Sequence, residues 1–151
     1  MAKIADVFLT ETLRSYLTAA STHETLCASV ADDPTIRRIV EQIRDHPERG
    51  WTINELAHAA GMSRTAFTTR FRAATGASAI EYLTQLRLAL AAGYLSTTSM
   101  TVDHIAHLVG YDNQASFSRA FARGYGRSPG DFRRDPLGTP PLDLRRTAAA
   151  R

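Results

Sequence analysis

Gln114 and Arg119 stand five residues apart, with Ala115 and Ser118 between them. These side chains are suited to reading the edges of base pairs. An amide pairs bidentately with adenine and a guanidinium with guanine, while a hydroxyl serves either base and a small apolar group meets the thymine methyl. Earlier in the chain, Arg64, Thr65, Thr68 and Thr69 form a second such set. Threonine brings both a hydroxyl and a methyl to a base edge. Arg70 and Arg72 beside the first set, and Asn113, Ser116 and Arg123 beside the second, are candidates for phosphate contacts, which position a protein on a duplex without specifying sequence.

Other chemistries lack their residues. Cys27 is the only cysteine, so neither an internal disulfide nor a thiolate cluster can form. His23, His46, His58, His104 and His107 fall in no zinc spacing with it. The chain has no nucleophile–base motif and no phosphate-cradling glycine loop. No enzyme activity, metal or cofactor is expected. No run approaches the length of an apolar membrane span, and the N-terminus does not read as a secretion signal. A lone cysteine fits a reducing, cytoplasmic setting.

The charge is unevenly spread. Residues 1–33 carry two basic and five acidic side chains, residues 34–134 thirteen and eight, and residues 135–151 three and two. The positive excess lies mid-chain, where an anionic partner would sit. All but Lys3 of the eighteen basic residues are arginine, the cation better matched to phosphate and guanine.

Helices must present these side chains. Ile4, Val7, Phe8, Leu13 and Leu17 predict an amphipathic helix over 4–19, and a short helix is expected near Leu26. Asp33-Pro34 starts a helix reaching about Asp45, with Ile36, Ile39, Val40 and Ile43 on one face. Thr52 with Glu55 is a capping box; Ile53, Leu56, Ala57 and Ala60 form the inner stripe of the helix it opens, and Gly61 ends it. Ser63 caps the next helix, which Phe67 and Phe71 anchor and Gly76 stops. A long helix over 79–96 turns Ile80, Leu83, Leu86, Leu90 and Leu95 to the core. Thr101 then caps a helix bearing Val102, Ile105, Ala106 and Val109 up to Gly110. Another follows with Phe117 and Phe121, closing at Gly126, and Ser128-Pro129 opens a last short helix with Phe132. The Pro-, Thr- and Ala-rich tail from Asp135 is expected to be disordered.

The two halves match. Ile53, Leu56, Ala57 and Gly61 recur as Val102, Ile105, Ala106 and Gly110 at an offset of 49. Phe67, Phe71 and Gly76 recur as Phe117, Phe121 and Gly126 at 50, with one extra residue in the second turn. Helix, glycine turn, helix, with alanine at the crossing, is the construction of a helix-turn-helix, in which the first helix braces and the second enters a major groove. With the phenylalanines inward, the two candidate reading sets face outward. The expected fold is all-α: two helix-turn-helix subdomains, homeodomain-like repeats, joined by a connecting helix. The expected segments are 1–33, an N-terminal extension; 34–78, the first subdomain; 79–97, the connecting helix; 98–134, the second subdomain; and 135–151, the tail.

GYDNQASFSRAFARGYGRSPGDFRR at 110–134 resembles the second helix-turn-helix signature of the AraC/XylS family of bacterial transcription regulators. WTINELAHAAGMSRTAFTTRFRAATG at 51–76 resembles the first, and Arg87 and Ala91 match residues of the connecting helix. The resemblance implies that Thr65, Thr68, Thr69, Gln114, Ala115, Ser118 and Arg119 contact bases. It also implies promoter binding in successive major grooves and contact with RNA polymerase, as activator or repressor. The sequence departs from the family at Ala79, where proline is frequent, and at Gly93, where a longer side chain is usual. Residues 1–33 are too short for the sensor barrel of many relatives, although 4–17 resembles the helical end of such a domain. No small-molecule effector is therefore expected, and residues 4–19 are a candidate self-association element. The rival reading is a helical interaction module that pairs with a full-length regulator through that same helix.

Overall fold

Asp33 fixes where the described fold begins. Its carboxylate accepts the N–H groups of Thr35 and Ile36 at 3.1 Å each, and Pro34, which has no N–H to satisfy, takes the first helical position. The computed structural model describes residues 33–136. Among them are seven helices: α1 Pro34–Asp45, α2 Ile53–Ala59, α3 Arg64–Thr75, α4 Ala79–Thr97, α5 Val102–Leu108, α6 Gln114–Tyr125 and α7 Pro129–Arg134. No strand occurs among the described residues. The expected helices at 4–19 and near Leu26, and the tail from 137 onward, lie outside the described residues.

Contacts divide the described chain into two units that meet within α4, between Leu86 and Arg87. In the first, Ile36, Ile39, Val40 and Ile43 of α1 pack with Leu56 and Ala57 of α2, Phe67 and Phe71 of α3, and Ala79 and Leu83 of α4. In the second, Leu88, Ala91, Ala92 and Leu95 of α4 pack with Ile105 and Ala106 of α5, Phe117, Phe121 and Tyr125 of α6, and Phe132 of α7. The paired phenylalanines meet alike in both, with ring centroids 5.4 Å apart at 50° in α3 and 5.6 Å at 53° in α6. Spacing of four residues puts both rings on one face of each helix.

The inner face of α4 is a correction to the sequence reading. Ile80 is 41% exposed, and Leu86 and Leu90 are only half-buried, whereas Ala79, Leu88, Ala91 and Ala92 are buried. The step from Leu83 to Leu88 is five residues, out of phase with a 3.6-residue turn. Each half of α4 therefore buries its own stripe, and a single stripe drawn through the leucines misplaces Ile80.

The repeat extends further than the two helix pairs. Ser78 caps the start of α4, accepting the Glu81 N–H at 3.3 Å, as Ser128 caps α7, accepting the Asp131 N–H at 3.2 Å. Tyr82 meets Phe71 edge-on at 6.0 Å, and Phe132, fifty residues on, meets Phe121 edge-on at 5.3 Å. The first turns of α4 thus close the first unit as α7 closes the second. The rest of α4 packs in the second unit as α1 does in the first. In the second unit α7 is tied down by Arg133, which donates to the Met100 carbonyl, and by Arg127, whose guanidinium lies 5.1 Å from the Phe132 ring.

Candidate nucleic-acid interface

The turn that aims each outer helix is built the same way twice. Gly61 donates to the His58 carbonyl at 3.0 Å and Met62 to the Ala57 carbonyl at 2.9 Å. Gly110 and Tyr111 do the same to His107 and Ala106 at the same two distances. The glycines stand at φ +67 and +88, a left-handed backbone that other L-residues adopt only with strain. Leu56 and Ala57 in α2, and Ile105 and Ala106 in α5, are buried at the crossing; alanine there lets two helices approach closely. The outer helices then start on side-chain caps: Ser63 accepts the Ala66 N–H at 3.3 Å and Asn113 the Ser116 N–H at 2.9 Å.

On α3, Arg64, Thr65, Thr68, Thr69, Arg70 and Arg72 are all exposed. Their counterparts fifty residues on are Gln114, Ala115, Ser118, Arg119, Ala120 and Ala122. Gln114, Ala115 and Arg119 are exposed, Ser118 and Ala122 are half-buried, and Ala120 is buried. The four-member reading sets therefore occupy the same positions of the repeat. Arg119 is steadied from its own helix, donating to Ser116 Oγ at 3.3 Å. Thr68 donates to the Arg64 carbonyl at 2.8 Å, which fixes its rotamer and leaves the oxygen lone pairs to accept.

The phosphate candidates divide. Arg72 and Arg123 are exposed. Asn113 uses its side-chain oxygen as the cap of α6, and Ser116 is half-buried beneath Arg119. Arg70 is engaged elsewhere, its Nε donating to Asp33 Oδ2 at 2.5 Å. The sequence reading passed over that pairing because 37 residues separate the partners.

Tyr111 was also missed as more than a helix leader. It packs edge-on against Phe117 at 5.5 Å, with the Arg87 guanidinium 5.7 Å from its ring. Burial pushes its phenol up, opposed by the charges of Arg87 and Arg123. Trp51 is half-buried against the first core; its indole N–H donates to the His46 carbonyl at 2.9 Å, and Arg49 lies 4.2 Å above the ring. Its surroundings are those of a packing residue at the turn. Among the described residues no group of three His, Cys, Asp or Glu is placed to hold a metal. None of the described helices is long and apolar enough to cross a membrane.

Charge separates the outer helices from their braces. α3 carries three arginines and α6 two, and neither contains a carboxylate. The bracing helices α2 and α5 carry Glu55 and Asp103 in their first turns. A cationic helix free of acidic side chains suits a polyanion.

The family described as "Helix-turn-helix domain" matches residues 56–135. The chain is 37% identical over 98 residues to the regulatory protein SoxS of Salmonella typhimurium, covering 65% of this chain and 92% of SoxS. The chain belongs to the AraC family of transcription regulators. It is 34% identical over 131 residues to the RCS-specific HTH-type transcriptional activator RclR of Escherichia coli, covering 87% of this chain and 46% of RclR. The chain thus spans less than half the length of RclR. Among solved structures it is similar to the DNA-binding domain of AdpA, the global transcriptional factor, in complex with a target DNA. That match has a TM-score of 0.63 and 30% identity, over 68% of this chain and 97% of that one. The AraC-family fold and the twice-built turn agree in what they make of α3 and α6: each is the outer helix of a helix-turn-helix.

Proposed function

We propose that this chain is a sequence-specific regulator of transcription that binds double-stranded DNA, with α3 and α6 as its two recognition helices. The observation that carries the reading is that both outer helices combine arginine and hydroxyl side chains, joined in α6 by the amide of Gln114, and neither contains a carboxylate. Arg64, Thr65, Thr68 and Thr69 read bases from α3, and Gln114, Ala115, Ser118 and Arg119 from α6. Arg72, Arg123, Asn113 and Ser116 line the backbone side. Two different reading sets fit a site without a dyad, read by a single chain. A promoter-bound protein of this kind acts in the cytoplasm beside RNA polymerase and needs no catalytic group.

Selection from genomic fragments by the purified chain, followed by a salt-titrated binding assay, tests this. The expected result is a defined motif bound well above random duplex, with log K falling against log salt by about 0.9 for each phosphate contacted. Equal binding to all duplexes, or none, would falsify the reading.

A further inference from the structure

Arg70 differs from the other arginines of α3 in where it lies on the helix. At 3.6 residues per turn, Arg70 sits about 80° around from the midpoint of Phe67 and Phe71, and about 120° from the midpoint of Thr65 and Thr69. It is on the flank of α3, neither in the core nor at the centre of the reading face. Its guanidinium reaches Asp33, only 14% of whose side chain is exposed. The same carboxylate holds the first turn of α1 through the Thr35 and Ile36 N–H groups.

The second unit shows what this position does. Ala120, fifty residues on, is buried. There α6 is seated by a small apolar side chain, where α3 is seated by an ion pair. A long charged side chain in place of a buried alanine holds the helix at a distance and direction set by its partner.

We infer that Asp33 and Arg70 form a strut between the start of α1 and the flank of α3, and that Arg70 positions the recognition helix instead of contacting phosphate. The inference rests on the reading of α3 as a recognition helix. Burial alone would raise the Asp33 carboxyl, but the Ile36 N–H, Arg70 and the Thr35 N–H outweigh it and hold it below its ordinary range, as expected of a carboxylate committed to these partners.

The test is a double-mutant cycle of Asp33→Asn and Arg70→Gln, read by affinity for the selected site, its salt dependence, and thermal unfolding without DNA. Asn keeps a side-chain oxygen for the α1 cap, so Asp33→Asn isolates the charge. Each single change is expected to weaken site-specific binding by up to about fivefold, the range of a partly exposed ion pair. The double change is expected to be no worse than either, with non-specific binding and the salt slope unmoved. The unfolding cycle is expected to be non-additive as well. A salt slope shallower by about 0.9 in Arg70→Gln, with all duplexes weakened alike, would make Arg70 a phosphate contact and overturn the strut. Tighter binding by Asp33→Asn would also overturn it, since Asp33 would then be withholding Arg70 from DNA. Additive unfolding effects overturn the strut with no DNA present. A wild-type chain that prefers no site overturns the proposed function instead, so the two failures are distinguishable.

Discussion

The two units share a scaffold and differ in the surface it carries. Both make the same turn hydrogen bonds to carbonyls four and five residues back from the second turn residue, and both cross the braces at a buried alanine. Both pair two phenylalanines at nearly the same distance and tilt. On that common frame the first unit turns outward three threonines among three arginines, and the second carries Gln114, Ser116 and Ser118 with two arginines, Arg119 and Arg123. Core positions answer to packing geometry, which is the same in both units, whereas outward positions are free of it and can diverge. The seating also differs, through an ion pair at Arg70 and a buried methyl at Ala120.

The largest expected difference lies in the cores. Phe121 touches three other rings, Phe117 at 5.6 Å, Tyr125 stacked at 4.5 Å and Phe132 at 5.3 Å. Phe71 touches two, Phe67 at 5.4 Å and Tyr82 at 6.0 Å. Phe121→Ala is expected to destabilise its unit by about 3–5 kcal/mol. Phe71→Ala is expected to cost less by roughly one aromatic pair, about 0.5–1.5 kcal/mol. Denaturant unfolding of the two variants compares them directly, and equal losses would show that the third ring adds nothing.

Next in size is the difference between reading faces. Arg119→Ala removes a guanidinium capable of bidentate pairing and is expected to cost about 1–3 kcal/mol at the selected site while relaxing preference at one base pair. Thr69→Ala, at the equivalent place in the first unit, is expected to cost less, since one hydroxyl makes a single bond. Competition binding against sites changed one pair at a time measures both. An equal or larger loss for Thr69→Ala would reverse the ranking of the two helices.

Much of this frame was legible in the sequence because it is local. Caps at Asp33, Thr52, Ser63, Thr101 and Ser128 act within three residues, and glycines mark helix ends by backbone conformation alone. The phenylalanine pairs sit one turn apart. The features that escaped are those that depend on distant chain or on phase. Nothing near Asp33 announces Arg70. Ile80 looked internal because α4 was read as one amphipathic helix, although its two halves serve different cores. Continuing the offset of fifty through Ser78-Glu81-Tyr82 and Ser128-Asp131-Phe132 shows, from sequence alone, that the start of α4 and α7 are equivalent.

Backbone strain offers a place where the units are expected not to differ. Gly61 and Gly126 stand at φ +67 and +74, and a Cβ at either would meet nothing within 4 Å. The cost of alanine there is conformational only, about 1–2 kcal/mol at each. Gly61→Ala and Gly126→Ala are therefore expected to lower stability alike, as thermal unfolding would read. A large excess at one of them would mean that the turn glycine and the C-cap glycine respond differently to the same local strain.

The smallest effect concerns how the bracing helices start, and it depends on pH in one unit only. Thr52 and Glu55 exchange hydrogen bonds: Thr52 Oγ1 accepts the Glu55 N–H at 3.2 Å, and Glu55 Oε2 accepts the Thr52 N–H at 2.9 Å. In the second unit Thr101 accepts the His104 N–H at 3.2 Å, and His104 stands where a reciprocating carboxylate would be. Removing either threonine hydroxyl is expected to cost about 1 kcal/mol, as for other N-caps, with Thr52→Ala the costlier because the Thr52 hydroxyl also donates to Glu55 Oε2 at 2.8 Å, while the backbone N–H bond to that carboxylate survives. The Thr52 N–H and hydroxyl hold the Glu55 carboxyl below its ordinary value. A carboxyl lowered by folding stabilises the fold above that ordinary value, and the contribution is lost as pH falls through the lowered one. Amide exchange at Thr52 is accordingly expected to lose protection as the solution is acidified through this range, beyond the change at Thr101, and Glu55→Gln is expected to abolish the difference. Parallel acid profiles at the two threonines would mean that the carboxylate, although hydrogen-bonded, does not distinguish the two helix starts.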